Sequence, residues 1–202
     1  MRDSLGYRAK IGVLVPATNT IVEPEMALLQ PKGVTNHISR MSRVKRPADD
    51  LEKYKKFLGS SVDMEAAIDV LVACEPSIIV HGHSVDSLAK GLLGADQMKS
   101  SMEKMSGDIP VMLPSHAILR ALELLGRPKK ISILTPWMPP ADQACEAFFR
   151  EAGYNVSAIK GLQHLTPLDI ATASPGLLND AVDELNTKDT ECIIKVGTNS
   201  AM

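Results

Sequence analysis

Two histidines flank a glycine in Val80-His81-Gly82-His83-Ser84, at the end of an apolar, β-branched run. Imidazole ordinarily titrates near neutrality, so His83 beside Gly82 can move a proton as acid or base. It can equally donate a hydrogen bond to a ligand carboxylate, and the residues alone leave both roles open. His81 and His83 are spaced i,i+2 and share a face if the strand runs through Gly82. With Asp86 and His116 they would offer metal donors, although H-x-H by itself does not define a metal site.

A second run ends the same way. Residues 192–199 read Cys-Ile-Ile-Lys-Val-Gly-Thr-Asn, an apolar strand that stops at a glycine followed by two hydrogen-bonding residues. Glycine lets a ligand approach the main chain, and the polar neighbours can grip an anion with side chains and amides. Gly82-His83-Ser84 and Gly197-Thr198-Asn199 therefore suggest half-sites that face each other. Two further loops have this character: Val15-Pro16-Ala17-Thr18-Asn19-Thr20, running on to Glu23 and Glu25, and Thr135-Pro136-Trp137-Met138-Pro139. None of the four carries an arginine. The pattern fits a small carboxylate held by amides and hydroxyls. Glu23 and Glu25 read as a solvated first helical turn, and His37 and His164 as surface or loop residues.

These loops need strands and helices to aim them. Apolar strands are expected at Ile11–Val15, Val34–Ser39, Ser77–Val80, Val111–Leu113, Ile131–Leu134, Val156–Ile159 and Cys192–Val196. Their near-continuous apolar character fits strands covered on both faces, as in parallel sheets. Between them the 3.6-residue period aligns Met64, Ile68 and Leu71; Met98, Met102 and Met105; and Ile118, Leu122 and Leu125 before a capping Gly126. Ser174-Pro175 opens a helix bearing Leu178, Val182 and Leu185. Pro47-Ala48-Asp49-Asp50 reads as loop. The alternation predicts an α/β protein in two similar halves, 1–116 and 117–202, with ligand bound beyond the carboxyl ends of the strands.

Composition excludes several functions. The 202 residues are 45% apolar and 23% charged with net charge −2, which gives no reason to expect nucleic acid or an acidic membrane as partner. Aromatics are only 3%, too few for base stacking. No apolar run nears the ~20 residues of a membrane span, and the N-terminus lacks a secretory h-region, so the cytoplasm is the default. Cys74, Cys145 and Cys192 are widely spaced and read as small core residues.

Ile11-Gly12-Val13-Leu14-Val15-Pro16-Ala17-Thr18-Asn19-Thr20 with Glu23 and Glu25 resembles the V-P-S-S-N-T-x-x-E-x-E opening of one branch of the aspartate/glutamate racemase superfamily, that of maleate cis-trans isomerase and arylmalonate decarboxylase. Thr135-Pro136-Trp137 resembles the T-P-Y loop of that branch, with an indole N–H in place of a phenol. Gly82-His83-Ser84 falls where the decarboxylases carry G-T-S. The resemblance runs from about residue 9 to the end. It implies two flavodoxin-like halves related by a pseudo-two-fold, an active site between them, and cofactor-free chemistry beside a carboxylate. Family racemases and isomerases place one cysteine at the end of the third strand of each half; the decarboxylases keep only the second, which protonates an enediolate held by backbone and hydroxyl donors. Here those positions fall at Gly82 and Gly197, and Cys192 lies five residues too early.

The expectation is a cofactor-free isomerase or decarboxylase-like enzyme acting on a small mono- or dicarboxylate, with homo-oligomerisation open. His83 would be the acid/base, and Thr18, Asn19, Gly82, Ser84, Trp137, Gly197, Thr198 and Asn199 the substrate-binding set. The alternatives are a non-catalytic carboxylate-binding protein on the same fold and a metal-dependent lyase or hydrolase using His81 and His83. Family members continue beyond the equivalent of Met202, so the second half reads as truncated, with apolar surface exposed around Ile193 and Val196.

Overall fold

The computed structural model describes residues 3–42 and 63–201, so the Pro47–Asp50 loop lies outside the described residues. In chain order the elements are β1 (Ala9–Pro16), α1 (Val22–Leu28), β2 (Val34–Met41), α2 (Glu65–Val72), β3 (Ile78–His81), α3 (Ser84–Leu88), α4 (Gly91–Met105), β4 (Val111–Met112) and α5 (Pro114–Leu124). There follow β5 (Lys130–Thr135), α6 (Pro139–Glu151), β6 (Asn155–Gly161), α7 (Pro167–Ile170), α8 (Pro175–Leu185) and β7 (Cys192–Lys195). Each expected strand is present, with its ends at most two residues from expectation.

The strands form two parallel sheets, ordered β2-β1-β3-β4 and β6-β5-β7. The order second–first–third thus occurs in both. Register places Leu14 beside His81 and Leu134 beside Lys195, so the strands of each sheet end together and their loops emerge at one edge.

Helix limits follow local chemistry. Ser174 caps α8 by accepting from Leu177 N, with Pro175 at the first helical position. Gly126 follows α5 at φ +84°, the left-handed conformation that suits glycine as a helix stop. Two residues expected inside are not: Leu125 is 70% and Met105 39% exposed. Met105 is the last residue of α4 and Leu125 the residue after α5, so both stand where their helices end.

The largest core cluster joins both regions of the chain. Val85 and Leu88 of α3 and Ala95 of α4 pack with Leu122, Ile131, Ile133, Phe148, Phe149 and Ile194. Residue 116 lies within α5, whose Ile118, Leu119 and Leu122 face this cluster. The expected exposure around Ile193 and Val196 does not occur. Val196 is buried in the same cluster, and Ile193 is half-buried against Leu178, Val182 and Leu185 of α8. The helices that precede β7 already cover both of its faces.

Candidate active site

The loops that leave β1, β3, β5 and β7 meet, and hydrogen bonds cross from one sheet to the other. Thr198 Oγ1 donates to Gly82 O at 2.7 Å, Thr20 N donates to Asn199 Oδ1 at 2.9 Å, and Asn19 Nδ2 reaches Thr198 O at 3.3 Å. They enclose a cavity of about 50 Å³ lined by Thr18, Asn19, His83, Ser84, Trp137, Gly197, Thr198 and Asn199. A space of that size admits only a small occupant. Of the nine residues expected at the site, eight line this cavity. Gly82 instead lines an adjoining space of about 350 Å³, together with His81 and Lys195.

The strand ends at His81, but His83, the residue before α3, is still extended (φ −141°, ψ 97°). Both imidazoles, spaced i,i+2, approach the same oxygen of Asp86. His81 is fully buried, neither ring nitrogen has a hydrogen-bond partner, and burial lowers its pKa to about 4. It is a neutral ring at physiological pH. His83 opens on the cavity, with Nδ1 2.6 Å from Asp86 Oδ2. The same oxygen is 3.9 Å from His81 Nε2. Among the described residues no three His, Cys, Asp or Glu side chains gather as a metal-binding set.

Both asparagines are engaged in building the loops. Asn19 Oδ1 accepts from Ile21 N and Val22 N, ordering the start of α1, and Asn199 Nδ2 donates to Pro167 O. Arg40, on β2, donates to Asn19 O at 2.8 Å and pairs with Glu23 at 2.6 Å. An arginine therefore clamps the first loop from behind. In the second half Trp137 N donates to Thr135 Oγ1, whose hydroxyl donates to buried Asp142. Burial raises Asp142 to about 6, and the Thr135 hydrogen bond opposes part of that shift.

Neither glycine has space for a side chain. A Cβ at Gly82 would lie 2.8 Å from Val15 Cγ1 and 2.9 Å from Leu14 O. At Gly197 it would lie 2.5 Å from Pro136 Cγ, on a backbone at φ +100°. The cysteines are elsewhere: Cys145 is buried in the large core cluster, where burial raises its thiol pKa, and Cys192 packs against the same cluster.

His164 lies in a loop, as expected, but it is at the site and not on the open surface. It lines the cavity, and its Nε2 is buried without a partner. With Leu165 and Thr166 it belongs to the loop between β6 and α7, which main-chain bonds from His164 N to Pro136 O and from Gln163 N to Trp137 O tie to the exit of β5. Only the strand-end rule applied to β6 pointed to it. His116 is not at the cavity; it bonds Asp96 at 2.9 Å on the outside of α5.

No family model matches the chain. It is 24% identical over 198 residues to maleate isomerase of Pseudomonas putida, covering 92% of this chain and 76% of that one. A Nocardia farcinica maleate cis-trans isomerase, a cysteine-to-serine variant with a covalently bound succinylcysteine intermediate, superposes with TM-score 0.82 at 19% identity, covering 95% of this chain and 79% of that one. Unliganded arylmalonate decarboxylase superposes with TM-score 0.68 at 15% identity, covering 96% and 79%. The chain is thus similar in sequence to maleate isomerases, and shares its fold with maleate isomerases and with arylmalonate decarboxylase.

Proposed function

We propose that this chain is a cofactor-free enzyme of the isomerase or decarboxylase kind that forms or protonates an enediolate beside a carboxylate of a small mono- or dicarboxylate. The observation that carries the reading is the small cavity in which His83 meets polar strand-end loops from both sheets. Ser84, Thr18 and the main-chain amides around Gly82 and Gly197 hold the carboxylate oxygens. Asn19, Asn199 and Thr198 keep the two loop sets at fixed separation, and Trp137 forms an apolar wall. Donors already in place where negative charge develops stabilise the enediolate more than the substrate.

His83 then exchanges the proton. In the exchange direction its bare nitrogen takes the α-proton and the bonding pair moves into the carboxylate. In the decarboxylating direction carbon dioxide leaves, its bonding pair enters the remaining carboxylate, and the imidazolium returns a proton to the α-carbon. The Nocardia relative forms a bond to cysteine; no cysteine lines this cavity, so thiolate addition is not the route proposed here. A second reading, a carboxylate-binding protein without turnover, is favoured by the closed glycine positions.

Proton NMR of the protein with a panel of small carboxylates in deuterium oxide separates the two readings. The enzyme reading expects deuterium at an α-carbon, or loss of carbon dioxide. A shift in melting temperature with malonate or maleate and no exchange would establish binding alone. Because Asn19 also builds the loop, Asn19→Ala should abolish that shift and lower the melting temperature together.

A further inference from the structure

We propose that Asp86 is a positioning residue of this site: its carboxylate holds the Nδ1–H of His83 and leaves Nε2 as the nitrogen that exchanges protons in the cavity. The inference deepens the reading of His83 as acid/base and rests on it for its catalytic consequence.

The geometry is local and specific. His83 is the residue before α3 and Asp86 lies in its first turn, so an i,i+3 spacing brings ring and carboxylate to 2.6 Å. An ionised carboxylate only accepts hydrogen bonds, so the shared proton sits on Nδ1. Both side chains are largely covered, at 15% and 14% exposure. A charge-assisted hydrogen bond shielded from water is stronger than one in solvent. His81 bounds the other side of Asp86, its ring centroid 6.2 Å from that of His83 at 67°. Its Nε2, 3.9 Å from the shared oxygen, is too distant to compete for it.

The proton balance is simple. When Nε2 takes a proton from the α-carbon, the carbon's bonding pair enters the enediolate and the new imidazolium faces the Asp86 carboxylate. When Nε2 returns the proton, Nδ1–H stays in place. Asp86 neither gains nor loses a proton in either step.

The test is the ring ¹⁵N spectrum of His83 in the whole protein, assigned by its disappearance in His83→Gln. Wild type should show the Nδ1–H tautomer at pH above the ring's titration. An Nε2–H tautomer in wild type overturns the proposal, and that measurement needs no variant. In Asp86→Asn the side-chain amide can donate to Nδ1, so the Nε2–H form should become the major one. Exchange turnover should fall about 10²–10⁴-fold with little change in KM, the range expected for loss of general acid–base catalysis. Asp86→Glu should recover part of it. An unchanged tautomer with turnover within threefold in Asp86→Asn would also overturn the idea. If the tautomer behaves as expected but wild type exchanges no carboxylate, the enzyme reading falls while the tautomer lock stands.

Discussion

The loops after β3 and β7 occupy the same place in the two sheets, yet they are chemically unlike. The first carries His83, held by Asp86, with buried His81 behind it. The second carries Gly197, Thr198 and Asn199, none of which titrates near neutrality, and spends Thr198 Oγ1 and both ends of the Asn199 amide on hydrogen bonds within the protein. On the proposed reading the first edge moves a proton, and the second holds the loops together across the cavity. The family resemblance implies a thiol on each side, or on the second alone; here the titratable group stands on the first. On the proposed reading the proton-exchanging group comes from one sheet only, while the groups that hold the carboxylate come from both.

The largest effect should come from breaking this division directly. On the reading proposed above, His83→Ala should lose about 10²–10⁴-fold in exchange rate with malonate binding retained. Thr198→Val, which removes the bond to Gly82 O, should cost about 1 kcal/mol of stability or binding and little turnover. Equal loss of rate in both variants, measured by deuterium incorporation, would erase the distinction between the loops.

Thiols put back at the glycines sharpen the same comparison. Gly197→Cys meets Pro136 and must hold a side chain at φ +100°, so we expect a loss of roughly 2–5 kcal/mol from strain plus overpacking. Gly82→Cys meets Val15 and the Leu14 carbonyl without that backbone strain and should lose about 1–3 kcal/mol. Urea unfolding of the two variants would rank them; a stable Gly197→Cys with a destabilised Gly82→Cys would reverse the expected order.

Two buried groups, one beside each sheet, titrate with opposite effect on stability. His81 stays neutral in the fold down to about pH 4 while the unfolded chain protonates it below about 6.5. Its contribution is present above 6.5 and lost on acidification through that window, up to roughly 3 kcal/mol. Asp142 is the reverse: raised to about 6, it takes a proton in the fold before the unfolded chain does, so stability is gained as pH falls from about 6 toward 3.8. Melting temperatures at pH 7 and 4.5 should fall less in His81→Asn than in wild type, and more in Asp142→Asn. Parallel curves for all three proteins would refute both assignments.

The smallest effect concerns the cysteines, which lie at neither loop. Replacing Cys74, Cys145 and Cys192 together with Ala or Ser should leave any activity within several-fold, at about 1–2 kcal/mol for a buried site such as Cys145. Loss of turnover in the folded triple variant would return a thiol to the chemistry.

Sequence alone determined the elements and most of the loops. The apolar runs at Ile11, Ile78, Ile131 and Ile193 are nearly continuous and end at glycine, proline or polar residues, so strands and their exits are legible without tertiary knowledge. Residues adjacent in sequence to those exits, such as Asn19, His83, Trp137 and Thr198, could therefore be placed at a site. What depends on neighbours distant in sequence could not. Arg40 reaches the Asn19 loop from β2, and the pairing of β6 with β5 brings His164 to the exit of β5. Whether a glycine has room for a side chain is decided by Pro136 and Leu14, which only folding brings against Gly197 and Gly82. Periodicity reports which face of an element is apolar; which side chains fill the space above it is set by packing between elements, and that exists only once the two sheets have met.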